Sequence, residues 1–325
     1  MTAMAPRLTL LTTGGTIAGR AASAADTTGY TAGALDPAAL VAAVPGLATL
    51  AELHCDAVFS IDSKDMTPAH WLTLRTRVLQ HLARVDCDGV VISHGTDTLE
   101  ETAFFLHLTL PPGKPVVMTA AMRPATALSA DGPMNLYQAV AVAAHPDSAD
   151  KGVLVVVNGQ IFAGADIVKT DTEALDAIAA PGRGPLGAAA PVRFFHPPAL
   201  GRTGCIAPHA LAGLSDLPRV DILQVAAGSA PDLLTAAVAA GARALVLALP
   251  GNGSLPQAWQ DAVAQARTAG VAVVRSTRTG HGRVAHAADS ALPPASGALN
   301  PPKARIALML ALASGQPELA TALFA

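Results

Sequence analysis

The sequence predicts an α/β protein of two domains: a larger N-terminal one, with a mostly parallel sheet flanked by helices, and a smaller C-terminal parallel β/α domain. Three observations predict it. Short apolar runs of strand character alternate with longer stretches of helical periodicity, the order that builds parallel sheets. The chain has 325 residues, more than a single hydrophobic core usually organises. Composition shifts near Pro181, where Pro-Gly-Arg-Gly-Pro opens a Gly/Pro-rich region running to about Pro218, the kind of segment that joins domains. The expected division is 1–190 for the first domain, 191–218 for the connection and 219–325 for the second.

Taken in order, the apolar run 7–12 reads as the first strand. Thr12-Thr13-Gly14-Gly15-Thr16-Ile17-Ala18-Gly19 follows it. Two glycines at a strand end allow a sharp turn and a close backbone approach, so Thr16 projects from that turn. Residues 20–33, small and polar with Tyr30 among them, read as a mobile loop. Asp36 caps a short helix ending near Pro45. Residues 53–61 are extended, and Asp62-Ser63-Lys64-Asp65 is a loop. Thr67-Pro68 opens a helix whose apolar stripe is Trp71, Leu74, Val78, Leu82 and Val85.

Residues 89–93 form a buried strand, His94-Gly95-Thr96-Asp97-Thr98 its turn, and 99–108 a helix with Glu100 and Glu101 near its N-terminal dipole. A strand at 115–119, the loop Ala120-Ala121-Met122-Arg123-Pro124, a helix at 134–144 and a strand at 153–157 come next, leading towards Lys169. Beyond the connection lie strands at 220–225, 244–249 and 271–275. Helices start from Pro231 and Pro256, and a last helix at 303–313 precedes a short tail.

Composition excludes several function classes. The net charge is −3 and no Lys/Arg cluster stands out, so nucleic acid is not an expected partner. The cysteines Cys55, Cys87 and Cys205 are odd in number and widely spaced, which argues against a disulfide framework or structural zinc. No run of about 18 apolar residues suggests a membrane span. Gly14 and Gly15 interrupt the apolar run at 8–11 too early for a signal-peptide core. A soluble, cytoplasmic protein is the expectation. No cofactor is expected either: the Gly-x-Gly-x-x-Gly fingerprint and the Lys-Ser/Thr of a phosphate loop are both missing. His281 and His286 lack partners for a metal site.

In open α/β sheets ligands bind outside the carboxyl ends of the strands. The polar turns expected there bring Thr16, Ser63, Thr96, Asp97 and Lys169 together. Three hydroxyls with a carboxylate and an amine suit acyl transfer better than redox or phosphoryl chemistry, since a threonine hydroxyl needs a base to become nucleophilic. Each residue also has a plainer reading. Thr96 and Asp97 suit a helix cap, Ser63 a turn, Lys169 a solvated surface and Tyr30 simple packing.

The segments Thr13-Gly14-Gly15-Thr16-Ile17-Ala18-Gly19 and His94-Gly95-Thr96-Asp97-Thr98-Leu99-Glu100-Glu101-Thr102 resemble the two signatures of the bacterial L-asparaginases. Met122-Arg123-Pro124, Ser129-Ala130-Asp131-Gly132-Pro133, Asn135-Leu136-Tyr137, Gly251-Asn252-Gly253 and Leu299-Asn300-Pro301-Pro302-Lys303-Ala304-Arg305 resemble other segments of that family. The resemblance spans nearly the whole chain. It implies hydrolysis of asparagine to aspartate and ammonia through an acyl-enzyme on Thr16, with Tyr30 closing over the site and Thr96, Asp97 and Lys169 supporting proton transfer. It also implies that Ser63 and Asp97 hold the α-carboxylate and α-amino groups and that the backbone of Ala121 meets the scissile amide. The implied assembly is a homotetramer, a dimer of dimers.

The physical chemistry fits those roles. Asp97 supplies an anion for a substrate ammonium, while Ser63 and turn amides supply donors for its carboxylate. Lys169 serves as a base only where burial favours its neutral form; otherwise it stabilises charge. Two departures stand out. Lys64 occupies a place beside Ser63 where the family often carries a residue that helps bind the amino group, and a lysine there repels an ammonium. Either it turns outward, or it pairs with a carboxylate, or substrate binding is weak. Residues 282–294 contain no Glu, only Asp289, where some members place a neighbouring subunit's glutamate. The alternatives are a mixed glutaminase-asparaginase, since one methylene discriminates by only about 1–3 kcal/mol, and a non-catalytic amino-acid-binding homologue. A nucleotide-dependent oxidoreductase is disfavoured by the missing fingerprint.

Overall fold

The computed structural model describes residues 5–25, 30–31, 36–199, 206–287 and 291–324, without the side chains of Ala21, Tyr30 and Pro208. The chain forms two compact units, Met1–Cys205 and Ile206–Ala325.

The first unit opens with β1 (Arg7–Gly14), buried from its second residue onward. β2 (Arg20–Ala21) and β3 (Tyr30–Thr31) pair antiparallel, so the stretch expected as a loop carries a strand pair at its described ends. Residues 26–29 and 32–33 of that stretch lie outside the described residues. α1 (Pro37–Ala42) starts where the Asp36 carboxylate accepts the Ala39 N–H at 2.8 Å, and α2 (Leu47–Leu50) follows. After β4 (Glu52–Ile61), α3 (Pro68–Leu82) begins with a capping box: Thr67 Oγ1 accepts the His70 N–H and His70 Nδ1 accepts the Thr67 N–H. The helix stops at Leu82, so Val85, expected on its apolar stripe, is 93% exposed instead.

β5 (Gly89–Ser93), α4 (Leu99–Thr109), β6 (Val116–Thr119), α5 (Gly132–Ala143) and β7 (Val153–Val157) continue the alternation. β8 (Gln160–Ala163), β9 (Val168–Lys169), β10 (Ile178–Ala179), β11 (Gly187–Ala189) and β12 (Val192–Phe194) complete the unit. β12 falls within the segment expected to connect the domains.

The main sheet has the order β12-β11-β8-β7-β6-β5-β1-β4. The five strands from β7 to β4 are parallel. β8, β11 and β12 extend the other edge in antiparallel fashion. β5, β6 and β7 are buried at every residue because helices cover both faces, and they therefore read as continuous apolar runs. Alternation along the strands divides the core. Leu8, Leu10, Val91, Val117, Leu154 and Val156 pack with Leu136, Ala139 and Val140 of α5. On α3 and α4, Trp71 stacks on Phe105 with ring centroids 5.5 Å apart.

The second unit contains β13 (Val220–Gln224), α6 (Asp232–Ala239), β14 (Ala244–Leu249), α7 (Gln260–Thr268), β15 (Ala272–Thr277), α8 (Pro301–Ser314) and α9 (Pro317–Phe324). Its three strands are parallel in the order β13-β14-β15. Leu245, Leu247 and Leu249 pack with Leu234 of α6, Val263 of α7 and Trp259. The expected tail is the helix α9, whose Leu319, Ala320, Leu323 and Phe324 are buried. Mixed α/β architecture, with a large first sheet and a small parallel second one, is as the sequence predicts.

Candidate active site

β1 is the switch point of the large sheet, with β4 on one side and β5 on the other. Such a reversal opens a crevice at the strands' carboxyl ends, and the turns after β1, β4 and β5 meet there. Gly14 and Gly15 leave β1 with φ of 102° and 79°, backbone that side chains other than glycine rarely adopt. The Gly15 N–H donates to the Ile61 carbonyl at 3.0 Å, tying this turn to the end of β4. Thr16 opens the following short helical turn and is buried.

The contacts between turns are close enough to exclude side chains. A Cβ on Gly15 would lie 2.5 Å from Gly95 Cα and N, and one on Gly95 would lie 2.5 Å from Ser63 Oγ. The turns bearing Thr16, Ser63 and Thr96 are thus in contact through glycine backbone. Thr98 Oγ1 adds a 2.8 Å bond to the Ser63 carbonyl, and Ser63 itself is buried. Beneath the turn after β5, burial pushes the His94 imidazole down to about 4. It is therefore neutral, and its Nδ1–H donates to the Gly95 carbonyl at 2.7 Å.

Thr96 is buried, and Asp97 has 53% of its side chain exposed. From β9, Lys169 Nζ donates to Thr96 Oγ1 at 3.0 Å and to Asp97 Oδ1 at 2.6 Å. These charge-assisted bonds hold a hydroxyl, a carboxylate and an ammonium in one cluster. The backbone N–H of Lys169 donates to Glu100 Oε2 at 2.9 Å, so the first turn of α4 anchors the strand that presents the lysine.

After β6 the chain passes through Ala120 and Ala121, both buried. Gly132 lets this turn approach the Thr16 turn: a Cβ there would lie 3.0 Å from Ile17 Cγ1 and 3.4 Å from the Ala121 Cβ. The N–H groups of Met122 and Arg123 both donate to the Asp131 carboxylate at 2.9 Å. Farther out, the Ala125 N–H donates to the Gly19 carbonyl and the Leu128 N–H to the Ala24 carbonyl, which fastens the segment after Thr16 to the same loop.

Of the residues singled out from sequence, Ser63, Thr96, Asp97 and Lys169 gather with the turn of Thr16, and Ala121 lies on the neighbouring turn. The backbone of Tyr30 pairs with Ala21; its side chain lies outside the described residues. Lys64 turns outward. Its side chain is 63% exposed and pairs with Asp62, whose hydrogen bond, with help from Asp65 and Asp97, holds the ammonium above its usual range. Asp131, Asn135 and the backbone role of Glu100 were missed. Asp131 and Asn135 stand in segments that resemble the family, a signal that gave them no role, and the bonds that do are visible only in three dimensions. Among the described residues no group of His, Cys, Asp and Glu is placed to hold a metal ion, and no helix is long and apolar enough to cross a membrane.

Comparison with known proteins agrees with this geometry. Residues 7–199 match the family model described as "Asparaginase, N-terminal", and residues 219–323 match "Glutaminase/Asparaginase C-terminal domain". The chain is 42% identical to L-asparaginase 2 of Bacillus subtilis, an alignment covering 94% of this chain and 82% of that protein. It is 43% identical to L-asparaginase 2 of Escherichia coli, over 94% and 89% of the two. The crystal structure of a probable cytoplasmic L-asparaginase from Campylobacter jejuni superposes with a TM-score of 0.92 at 39% identity, over 98% of this chain and 99% of that one.

Proposed function

The chain belongs to the asparaginase family, and from that premise we propose that it hydrolyses L-asparagine to L-aspartate and ammonia with Thr16 as nucleophile. The observation that carries the reading is the Lys169 ammonium joined to the Thr96 hydroxyl and the Asp97 carboxylate, beside the glycine turn that holds the buried Thr16.

Thr16 Oγ attacks the side-chain amide carbon, and its hydroxyl proton passes through the Thr96 hydroxyl to the leaving nitrogen while the Lys169 ammonium stabilises the charge that develops. The C–N bond breaks, ammonia departs, and an ester joins the aspartyl group to Thr16. Water then attacks the ester carbon, its oxygen going to the freed aspartate and one of its protons restoring the Thr16 hydroxyl. Turn N–H groups at the carboxyl ends of β1 and β5 are suited to the developing oxyanion. Ser63 and Asp97 bind the α-carboxylate and α-amino groups, the Ala121 backbone meets the amide, and Tyr30 keeps the role in activating Thr16 that the family resemblance implies. Lys64, paired with Asp62, is spent on its own carboxylate, which supports the reading that it does not oppose the substrate ammonium.

Asp97 is half exposed, and a partner chain covering it suits acyl transfer, which profits from excluding bulk water. A homotetramer, a dimer of dimers, fits this, and sedimentation tests it. No metal or cofactor enters the scheme. The Campylobacter relative is named a probable cytoplasmic enzyme, and the cytoplasm is the location we assign. The mixed glutaminase reading draws on the description of the C-terminal family model. A coupled ammonia-release assay decides between these readings: release from asparagine well above that from glutamine is the expected result, comparable rates make the enzyme mixed, and release from neither makes it a binding protein.

A further inference from the structure

Asp131 occupies the residue before α5, the place from which an aspartate normally accepts N–H bonds of its own helix. It makes no such bond. Its carboxylate points instead at the turn after β6, where Oδ2 accepts the Met122 N–H and Oδ1 the Arg123 N–H, each at 2.9 Å. Asn135, one turn along α5, braces the same group. Its Nδ2 donates to Asp131 Oδ2 at 3.2 Å and to the Ala120 carbonyl at 2.9 Å, while its Oδ1 accepts the Asn158 N–H at 2.9 Å.

These bonds hold the two peptide units that bracket Ala121. One contributes the Ala120 carbonyl, the other the Met122 N–H. In a trans peptide the carbonyl and the N–H point in opposite directions. Holding the Met122 N–H against Asp131 therefore aims the Ala121 carbonyl away from it. The carboxylate also polarises that peptide: a charged acceptor on the N–H draws the hydrogen and leaves the oxygen more negative. Two neutral side chains would fix the direction without this effect.

We propose that Asp131 is a positioning residue that aims and polarises the Ala121 carbonyl as an acceptor for the N–H of the scissile amide, and so gives the site a preference for an amide over an ester leaving group. The inference rests on the reading of Thr16 and Ala121 given above. An amide nitrogen carries hydrogens for that carbonyl to receive, and takes a further proton as it leaves. An ester oxygen offers it none.

The test compares kcat/KM for asparagine and for the β-methyl ester of aspartate, both of which acylate Thr16. kcat/KM reports through acylation and is blind to the shared hydrolysis of the acyl-enzyme. Asp131→Asn keeps the shape, removes the charge and turns one acceptor into a donor. The expected result is a fall in the amide-to-ester ratio of about tenfold or more, with circular dichroism unchanged. An equal fall for both substrates marks a structural role and overturns the proposal, as does no fall at all. If Asp131→Asn does not fold, Asn135→Ser, which removes the brace, should lower the same ratio, and an unchanged ratio there overturns it. Thr16→Ala, run beside them, separates the two readings. Full activity of that variant sinks the nucleophile assignment, whereas loss of both activities with an unchanged ratio in Asp131→Asn sinks only the role of Asp131.

Discussion

Thr16 is a buried hydroxyl on a turn whose neighbours admit no side chain. Thr16→Ala should lower ammonia release by on the order of 10⁴-fold or more while leaving circular dichroism and thermal unfolding near those of the parent. Near-normal turnover would remove Thr16 from the chemistry. Lys64 behaves differently. The lysine beside Ser63 suggested repulsion of the substrate's ammonium, but its side chain is mostly in water and joined to Asp62. An exposed, paired charge acts weakly at a distance. Lys64→Gln should therefore change KM for asparagine by less than about threefold; a clear improvement would mean that the lysine reaches the ammonium after all. Thr96 and Asp97 were legible as candidates because their motif is specific, and Lys169 only through the family resemblance. Their mutual geometry was not, since Lys169 stands 72 residues from Asp97 and nothing local records the pairing.

At the level of elements, the turns decide more than the strands they follow. A methyl group on Gly15 meets Gly95 backbone at 2.5 Å, and backbone cannot rotate aside as a side-chain tip does. Gly15→Ala also places an alanine at φ 79° and ψ −177°, a conformation open essentially to glycine alone and costing on the order of 1–3 kcal/mol before any clash. This variant should lower the urea midpoint markedly and abolish ammonia release; retention of both would mean that the turns separate easily. The long elements were legible because burial on both faces leaves a continuous apolar signature in β5, β6 and β7 and because Thr67-Pro68 marks a helix start. β11 and β12 are only three residues each, too short for periodicity to register, and β8 opens on the exposed Gln160, which leaves it an apolar run of three. α3 ends at Leu82, although the apolar spacing continued to Val85.

For the molecule as a whole, acid should weaken the fold through His94. Its imidazole is held at about 4 when folded, against 6.5 ordinarily, because burial disfavours the charged form. Between these values the unfolded chain binds a proton that the folded chain does not. Stability is therefore lost as pH falls from 6.5 towards 4, by at most about 1.4 kcal/mol per pH unit from this group. Above that window the group contributes no slope. Urea unfolding at pH 7 and pH 5 measures the loss, and His94→Gln should reduce it; an undiminished loss would assign the acid sensitivity to other groups.

The sequence by itself determined the alternation of strands and helices, the division into a large and a small α/β part, the glycine turn that presents Thr16 and the motifs that mark the family. These are set by burial, backbone freedom and short-range order, all of which are written in neighbouring residues. Only the tertiary structure decided which turns touch, that Lys64 pairs with Asp62, that Glu100 anchors the backbone of Lys169 and that Asp131 leaves its own helix to hold the turn at Ala121. Each of these is a polar bond whose partner is chosen by proximity after folding. A carboxylate carries the same charge wherever it stands in the chain, and the partner it finds depends on where the sheet brings its turn.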